Sequence, residues 1–467
     1  MTNRKINSSF RDPSGFVFEK DGVLYRQIND VYKDSYELFI ESGLYKELKE
    51  KNLIISHEEA DSSLSINPDH LYKVIKPIKV PFISYPYEWS FGMYKDSALL
   101  TLEILKISLK YNMILKDSSS YNIQFIDSKP TFIDTLSFDK YEEGKPWEAY
   151  QQFCKHFLSP LVLMTYVSID LSKLMQIYID GIPLDLTSKI LPLKAKINPS
   201  IYMHIIMHSK SQEKHSLDAE KILNNQKILV DNKVSKQGLL SIIDNLESII
   251  RNLKWNKPKT EWGDYYHITN YSEFSMEQKS KMVADMILKT KPKMLWDLGA
   301  NNGPFSRLAS GKGIETISFD IDPVAVELNY QECRKNGDKN LLPLISDLTN
   351  PSPDIGFSNK ERDSLIRRGP ADTILALALI HHLSISNNLP FENTARFFSE
   401  CGEYLIIEFV PKNDSQVKKL LASRKDIFDR YDIESFRNDY SHYFDILEEK
   451  NIENSERTLF LMKKKTI

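Results

Sequence analysis

The stretch Leu295–Gly303 constrains the fold of this 467-residue chain more than any other, because an apolar run leads directly into an aspartate and two glycines. The run predicts a buried strand that delivers Asp297 to its carboxyl end. Gly299 and Gly303 then allow the backbone to turn tightly against a ligand before a helix begins near Phe305. Many ligands are bound by a glycine-rich turn between a strand and a helix, so the stretch alone does not identify the ligand.

Three further predicted strands also end in polar side chains. In chain order these ends are Asp320-Ile321-Asp322, Ser346-Asp347-Leu348 and His381-His382. Asp320 follows the glycine turn by about twenty residues, the distance at which a carboxylate can accept both ribose hydroxyls of an adenosine. Because open parallel sheets bind ligands at the carboxyl ends of their strands, the four ends predict a single ligand site.

In the order and spacing of these residues, the C-terminal half resembles the class I S-adenosylmethionine-dependent methyltransferases. The matching features are the Asp-x-Gly-x-x-x-Gly turn, the acids after the second and third strands, and two final strands that begin at Phe444 and Thr458. The resemblance implies a Rossmann-like seven-stranded α/β sheet that binds S-adenosyl-L-methionine. A nicotinamide-binding domain is the alternative, but its Gly-x-Gly-x-x-Gly turn needs glycine where this chain has Asn301 and Pro304.

The methyltransferase resemblance implies a role for each residue at the strand ends. Gly299 and Gly303 would line the methionine end of the cofactor, and Asp297 would assist its ammonium group. Asp320 would hold the ribose, and Asp347 would meet the adenine amino group. The other residues expected beside the cofactor are Asn301, Ile321 and Leu348. The alternative for the acids is that they only cap the helices that follow them.

His381 and His382 end the fourth predicted strand, close to where a transferred methyl group would lie. An imidazole there can act as a general base near neutral pH. Equally, one or both histidines can hydrogen-bond the loops and only shape the pocket. The connection before this strand, which includes Glu361 and Arg362, is long enough that we expect it to carry substrate contacts.

A second constellation lies in the N-terminal half. Asp117 is followed five residues later by Asn122, and Asp134 comes at the end of the next apolar run. This spacing resembles the catalytic core of the kinase-like and aminoglycoside-phosphotransferase-like folds. The resemblance implies an α+β kinase-like domain in which Asp117 orients an acceptor hydroxyl, while Asn122 and Asp134 hold magnesium on ATP.

The N-terminal half departs from the kinase pattern in several places. Leu115-Lys116 replaces the usual His-Arg before the first aspartate, and no glycine-rich phosphate loop precedes it. Lys73 or Arg26 would have to substitute for the lysine that holds the phosphates. Three interpretations therefore stay open: an active kinase, a kinase-like fold without phosphoryl transfer, and polar residues that only cap turns.

Along the chain, these features predict a kinase-like domain over 1–215, a helical linker over 216–260 and a methyltransferase domain over 261–467. The helix expected over Gln237–Lys254 has one apolar stripe, which predicts packing between the two halves or, alternatively, a dimerising coiled coil. Ahead of the cofactor strand, three aromatic residues are candidates for a lid over the cofactor, namely Tyr265, Tyr266 and Tyr271.

Other features exclude several classes of function. His204 and His208 share a helix face, but Ile205 stands where a zinc protease helix needs glutamate, so we expect packing and no metal. A formal net charge of -3 gives no signal for nucleic acid. The chain shows no signal-peptide pattern and no apolar run long enough for a membrane, and its three cysteines are far apart in sequence. We therefore expect a soluble cytoplasmic protein.

The chain as a whole also resembles a group of bacterial nodulation-type methyltransferases in which such an N-terminal region precedes the cofactor domain. The sequence thus predicts a methyltransferase whose N-terminal domain selects or presents the acceptor. That acceptor, a small molecule, a glycan or a protein, reacts through oxygen, carbon or nitrogen and stays unidentified. The alternatives are a bifunctional methyltransferase and kinase, and a non-catalytic regulator that binds S-adenosyl-L-methionine.

Overall fold

The computed structural model describes residues 3–207, 233–258, 273–422 and 425–466. The chain divides into two compact units. The first unit contains Met1–Phe125, Pro130–Asn256 and Ile355–Arg362, and the second contains Ile126–Lys129, Lys257–Asp354 and Asp363–Ile467. The first unit thus includes one short segment, Ile355–Arg362, from the C-terminal half of the sequence.

An antiparallel five-stranded sheet begins the first unit. Its strands are β1 Asn3–Lys5, β2 Gly15–Lys20, β3 Val23–Asn29, β4 His57–Ala60 and β5 Leu71–Pro77, in the spatial order β1-β2-β3-β5-β4. Strands β2 and β3 form a hairpin whose turn places Asp21 and Gly22 at φ values of 52° and 78°. Glycine adopts such positive φ values without steric cost, which favours the turn. Phe16, Phe18 and Val74 pack together as one core of this sheet.

Helices and two small sheets make up the rest of the first unit. The α-helices are α1 Lys33–Glu41, α2 Leu44–Glu50, α3 Phe91–Lys110, α4 Tyr150–Phe153, α5 Ser159–Tyr166, α6 Leu174–Ile177, α7 Leu184–Ile190, α8 Leu193–Lys196, α9 Pro199–Ile201 and α10 Lys236–Asn252, with π-helical turns at Cys154–Leu158 and Tyr202–Met207. The small sheets pair β6 Met113–Leu115 with β9 Phe138–Lys140, and β7 Ile123–Ile126 with β8 Lys129–Phe132. The long helix α3 is capped by Ser90, whose hydroxyl oxygen accepts the Met93 N–H.

The predicted amphipathic helix in the linker region is α10, which belongs to the first unit and packs on α3. Lys106 on α3 forms an ion pair of 2.6 Å with Asp244 on α10. His204 is buried, and its two ring nitrogens contact Tyr150 Oη at 2.6 Å and Asn245 Oδ1 at 2.9 Å. His204 is therefore a packed histidine, as expected, while His208 lies outside the described residues.

The second unit is a mixed seven-stranded sheet with helices, so the predicted α/β class is confirmed. Its strands are β10 Met294–Leu298, β11 Glu315–Asp320, β12 Leu341–Ile345, β13 Ala371–Ala376, β14 Gly402–Phe409, β15 Phe444–Asn451 and β16 Thr458–Lys464, in the order β12-β11-β10-β13-β14-β16-β15. Its α-helices are α11 Glu273–Thr290, α12 Pro304–Ser310, α13 Pro323–Asn336, α14 Phe391–Cys401, α15 Ser415–Ala422 and α16 Ile433–Ser441. A π-helical turn spans His382–Ser386. The five strands β10 to β14 are parallel. The two final strands, predicted from Phe444 and Thr458, are present as β15 and β16, and β16 pairs antiparallel with β14 and β15.

One apolar core joins the sheet of the second unit to helix α11. Leu295, Leu375 and Ile406 from three strands pack against Val283 and Met286 of α11 in one apolar core. The sequence has an apolar run from Ile374 to Ile380, but strand β13 ends at Ala376, within that run.

Among the described residues, every helix is either too short or too polar to cross a membrane.

Candidate functional site

The carboxyl ends of β10 to β13 converge on a cavity of about 360 Å³ in the second unit. Seven of the eight residues predicted to lie beside the cofactor line this cavity, and so does one of the two histidines. They are Asp297, Gly299, Asn301, Asp320, Ile321, Asp347, Leu348 and His382. Residues from four separate predicted strand ends therefore meet at one place.

The two glycines of the turn, Gly299 and Gly303, have different surroundings. Gly299 lines the cavity at φ 79°, and a Cβ atom added there would lie 3.2 Å from Leu379. Gly303, at φ 80°, is not part of the cavity wall, and its place beside the cofactor stays a prediction. A Cβ atom at Gly303 would lie 2.5 Å from the amide of Asn329, so this glycine lets the turn approach α13.

Asp297 is held in the protein interior. Its carboxylate accepts a hydrogen bond of 2.6 Å from the Ser306 hydroxyl, and only 2% of the residue is exposed. Burial raises the pKa of Asp297 to about 7, and the nearby charge of Asp320 adds to the increase. Asp297 is therefore close to half-ionised at neutral pH, and a bound cationic group would favour its carboxylate form.

Asp320 and Asp347 have different surroundings at the next two strand ends. Asp320 accepts the backbone N–H groups of Asn301 at 2.7 Å and Asp322 at 2.8 Å, and burial raises its pKa to about 6. Asp347 is half-buried and accepts the Thr349 N–H and hydroxyl. Both acids thus order the loops of the site as well as facing its cavity.

One polar atom in the cavity wall has no partner within the described ranges. The Ser346 hydroxyl oxygen is buried there and makes no hydrogen bond with a described residue. Since buried polar groups are normally hydrogen-bonded, this hydroxyl is suited to a polar ligand. The acids, the glycine turn and this hydroxyl together fit an adenosyl cofactor with a cationic amine.

The two histidines have separate positions. His382 lines the cavity, whereas His381 is 1% exposed and lies off the cavity wall, with its ring 4.1 Å from that of His382. Of the predicted catalytic pair, His382 therefore lies at the cavity, while a catalytic role for either histidine stays a prediction. Burial lowers the pKa of His382 to about 4, so its imidazole is neutral at neutral pH and has a ring nitrogen able to accept a hydrogen bond or proton.

The sequence prediction missed a buried ion-pair network beside the cavity. Lys279 on α11 lines the cavity and pairs with Glu408 at 2.6 Å, and Arg457 approaches Glu408 at 3.5 Å and Asp414 at 2.8 Å. Glu408 also accepts the Ala378 N–H. The available signal was Lys279 itself, which falls on the apolar face of its helix at helical spacing from Val283 and Met286. Other wall residues that the sequence prediction missed include Met276, Phe305, Leu377, Leu379, Leu383, Gln416 and Lys419.

A second cavity, of about 620 Å³, lies in the first unit. Asp117, Asn122 and Asp134 all line it, so the three residues of the kinase-like constellation meet in space. Arg26 lines it as well, and its guanidinium pairs with Asp134 at 2.5 Å. Lys73 is not a wall residue and instead pairs with Glu59, so of the two phosphate-holding candidates only Arg26 reaches the cavity.

Asp134, the aspartate predicted to hold magnesium, is already paired with protein groups. One oxygen of Asp134 accepts from Arg26 and the Leu136 N–H, and the other accepts the Ser137 hydroxyl at 2.5 Å. The Asn122 amide nitrogen donates to Ser137 as well. Among the described residues, no group of three or more His, Cys, Asp or Glu side chains is arranged to hold a metal ion. The kinase-like constellation is therefore occupied by protein donors.

The candidate lid residues Tyr265, Tyr266 and Tyr271 lie outside the described residues. The three cysteines, Cys154, Cys333 and Cys401, are buried and free.

No protein-family model matches the chain. Nodulation protein NoeA of Rhizobium meliloti (strain 1021) is 32% identical over 459 residues, which cover 98% of this chain and 95% of that protein. A magnesium protoporphyrin IX methyltransferase from Synechocystis PCC 6803, solved with bound SAH, matches 44% of this chain and 94% of its own at 15% identity and a TM-score of 0.31. The N-methyltransferase NodS from Bradyrhizobium japonicum WM9 matches 42% of this chain and 99% of its own at 9% identity and a TM-score of 0.30.

Proposed function

This chain belongs to the family of the nodulation protein NoeA, and we propose that its second unit is an S-adenosyl-L-methionine-dependent methyltransferase. The observation that carries the proposal is the convergence of the acids from three strand ends and the glycine turn on one cavity. The sequence motif led us to expect each of those acids at a cofactor. In a nicotinamide-binding domain, Asp297 beside the turn would have no ammonium group to bind.

The residues of the cavity have complementary roles in holding the cofactor. Asp297 assists the methionine ammonium, Asp320 accepts the ribose hydroxyls, and Asp347 meets the adenine amino group. The backbone at Gly299 approaches the methionine end because no side chain intervenes. When bound, S-adenosyl-L-methionine supplies a methyl group attached to a sulfonium, which is a good leaving group.

The protein must then orient the acceptor and, for a protonated nucleophile, take its proton. His382 is the candidate for the second task, because its neutral imidazole faces the cavity. With the cofactor bound, His382 would accept the proton that a protonated acceptor loses as it takes up the methyl group. The acceptor is an oxygen, carbon or nitrogen nucleophile, and we propose that the first unit selects or presents it.

We further propose that the first unit has a kinase-like fold. In support, this unit combines an antiparallel sheet with helices, as an α+β domain does, and Asp117, Asn122 and Asp134 line one cavity. Because the Arg26 guanidinium already pairs with Asp134, we propose a kinase-like fold without phosphoryl transfer. A non-catalytic regulator would bind S-adenosyl-L-methionine in the second unit without turnover.

Calorimetric titration of the full chain with S-adenosyl-L-methionine tests the proposed function. We expect Asp320→Ala to weaken binding by at least about tenfold, since each hydrogen bond to a charged group contributes about 1.5–3 kcal/mol. Asp320→Asn keeps one acceptor oxygen and should lose less. Asp445→Ala, an exposed aspartate on β15, is the matched control and should bind normally. A wild-type chain that fails to bind S-adenosyl-L-methionine would overturn the proposal.

A further inference from the structure

The segment Ile355–Arg362 contributes to the wall of the first unit's cavity through Glu361 and Arg362. Glu361 holds Arg11 by two hydrogen bonds of 2.8 and 3.0 Å. Gly356 has a φ of 83°, and a Cβ atom added there would lie 2.5 Å from Glu361. Ile355 and Arg362 also form an antiparallel bridge. The segment is thus held in a defined conformation by glycine, backbone pairing and an ion pair within the first unit.

Arg362 is a cation whose hydrogen-bonding capacity is largely unused. Its guanidinium carbon lies 4.3 Å from the centroid of the Tyr121 ring, and 17% of its side chain is exposed. Its Nε makes no hydrogen bond with any described residue, and the carboxylate that it approaches, that of Glu361, lies 4.0 Å away and already binds Arg11. A planar guanidinium fixed on an aromatic face presents its donors in a fork that matches phosphoryl and carboxylate oxygens.

Arg26 adds a second incompletely satisfied cation to the same wall. It is 8% exposed, and its Nε likewise has no partner in the described ranges, although its terminal nitrogen pairs with Asp134. Two lysines, Lys116 and Lys155, also line the cavity. Since a buried charged donor without an acceptor is unfavourable, a ligand that brings acceptor oxygens would stabilise this arrangement.

The wall has six acids against five lysines and arginines, but four of these acids are already engaged by donors within the first unit. Asp134 pairs with Arg26 and Glu361 with Arg11, while Asp12 and Asp117 accept backbone N–H groups of their own loops. The remaining wall acids are Glu148 and Asp180. These two can accept hydrogen bonds from hydroxyl or amine groups elsewhere on the same ligand.

We propose that the cavity of the first unit binds, without a metal ion, a ligand that carries a phosphoryl or carboxylate group, and that Arg362 recognises this group. Arg26 already supplies Asp134 with a positive charge, so the proposed site needs no metal ion for that purpose. This site is separate from the proposed methyltransferase cavity. If the anion-binding proposal is wrong, the methyltransferase proposal is therefore unaffected.

The test is calorimetric titration of the full chain in EDTA with pyrophosphate for the phosphoryl source and citrate for the carboxylate source. We expect one of the two to bind and Arg362→Gln to weaken that binding by at least about tenfold. Arg362→Lys keeps the charge but loses the fork, so its binding should be intermediate. Arg4→Gln, an exposed arginine on β1, is the matched control and should leave the affinity unchanged.

Several results would overturn the inference. These are the absence of binding by both probes, binding that requires added magnesium, and equal affinities of Arg362→Gln and the wild type. Titration with S-adenosyl-L-methionine reports independently on each variant, because its proposed site lies in the other unit. If Arg362→Gln does not fold, the comparison of Arg362→Lys with the wild type decides the question.

Discussion

The cavities of the two units hold their carboxylates in opposite ways. In the first unit, Asp134 already has its cation, because Arg26 lies 2.5 Å away. In the second unit, Asp297 is buried with a hydroxyl as its hydrogen-bond donor, and Lys279 beside it pairs with Glu408 instead. The difference teaches what each cavity lacks. The first needs acceptor oxygens for its arginines, whereas the second needs a positive group for its aspartate.

The largest expected effect is on stability, and it separates the two aspartates. Asp134→Asn leaves Arg26 buried without its carboxylate, so we expect the free energy of unfolding to fall by about 2–4 kcal/mol. Asp297→Asn removes a carboxylate whose ionised form is already disfavoured, and should change stability by less than about 1 kcal/mol while weakening S-adenosyl-L-methionine binding. Urea unfolding of both variants measures the difference. Equal losses of stability would contradict the comparison.

The pH dependence of S-adenosyl-L-methionine binding should be the next largest effect. Because the pKa of Asp297 is raised to about 7, the protein must release a proton from it to bind a cationic amine. Affinity should therefore rise with pH through 7, by up to about tenfold per unit below that value. Titrations between about pH 5.5 and 8 measure the slope. Asp297→Asn should flatten it, and a wild-type affinity independent of pH would contradict this role.

Asp297 and Asp134 should change the pH dependence of folding stability in opposite directions. The pKa of Asp297 is raised in the folded state, so its contribution to stability is present at low pH and is lost as pH rises towards about 7. The pKa of Asp134 is lowered; although burial opposes the change, the charge of Arg26 and hydrogen bonds outweigh it. The contribution of Asp134 is therefore present above its ordinary pKa and is lost on acidification below it.

The smallest expected effect concerns which of the two candidates, Arg26 or Lys73, holds phosphates in the first unit. Lys73 pairs with Glu59 at a partly exposed position, so Lys73→Ala should reduce stability by less than about 1 kcal/mol. It should also leave pyrophosphate and citrate binding unchanged, because Lys73 does not line the cavity. Urea unfolding and the same titrations check both points. Loss of anion binding in Lys73→Ala would assign the phosphate-holding role to Lys73.

The cofactor residues could be predicted because their signals are local. Asp297, Asp320 and Asp347 each follow an apolar run, and the rule that parallel strands share one ligand-binding edge brings them together. The hairpin of β2 and β3 was predictable for the same reason, from two short runs around Asp21 and Gly22. The apolar pattern did not give the correct end of β13, because the apolar run continues beyond Ala376, the last residue of the strand.

The residues that the sequence did not reveal depend on distant partners. Lys279 can occupy an apolar helix face because Glu408, far away in sequence, pairs with it in the interior. Glu361 and Arg362 were expected to serve the methyltransferase edge, whereas their segment belongs to the first unit. Such partnerships between distant parts of the chain leave no regular spacing to read.

The segment Ile355–Arg362 also makes the first unit discontinuous in sequence. During synthesis, domains generally fold as their residues emerge from the ribosome. Here Arg11 receives its partner Glu361 only after most of the second unit's parallel strands have been translated. A fragment ending at Asn256 would contain most of the first unit and still lack part of its cavity wall. The two units are therefore joined in biogenesis, and neither can be exchanged between proteins as a simple cassette.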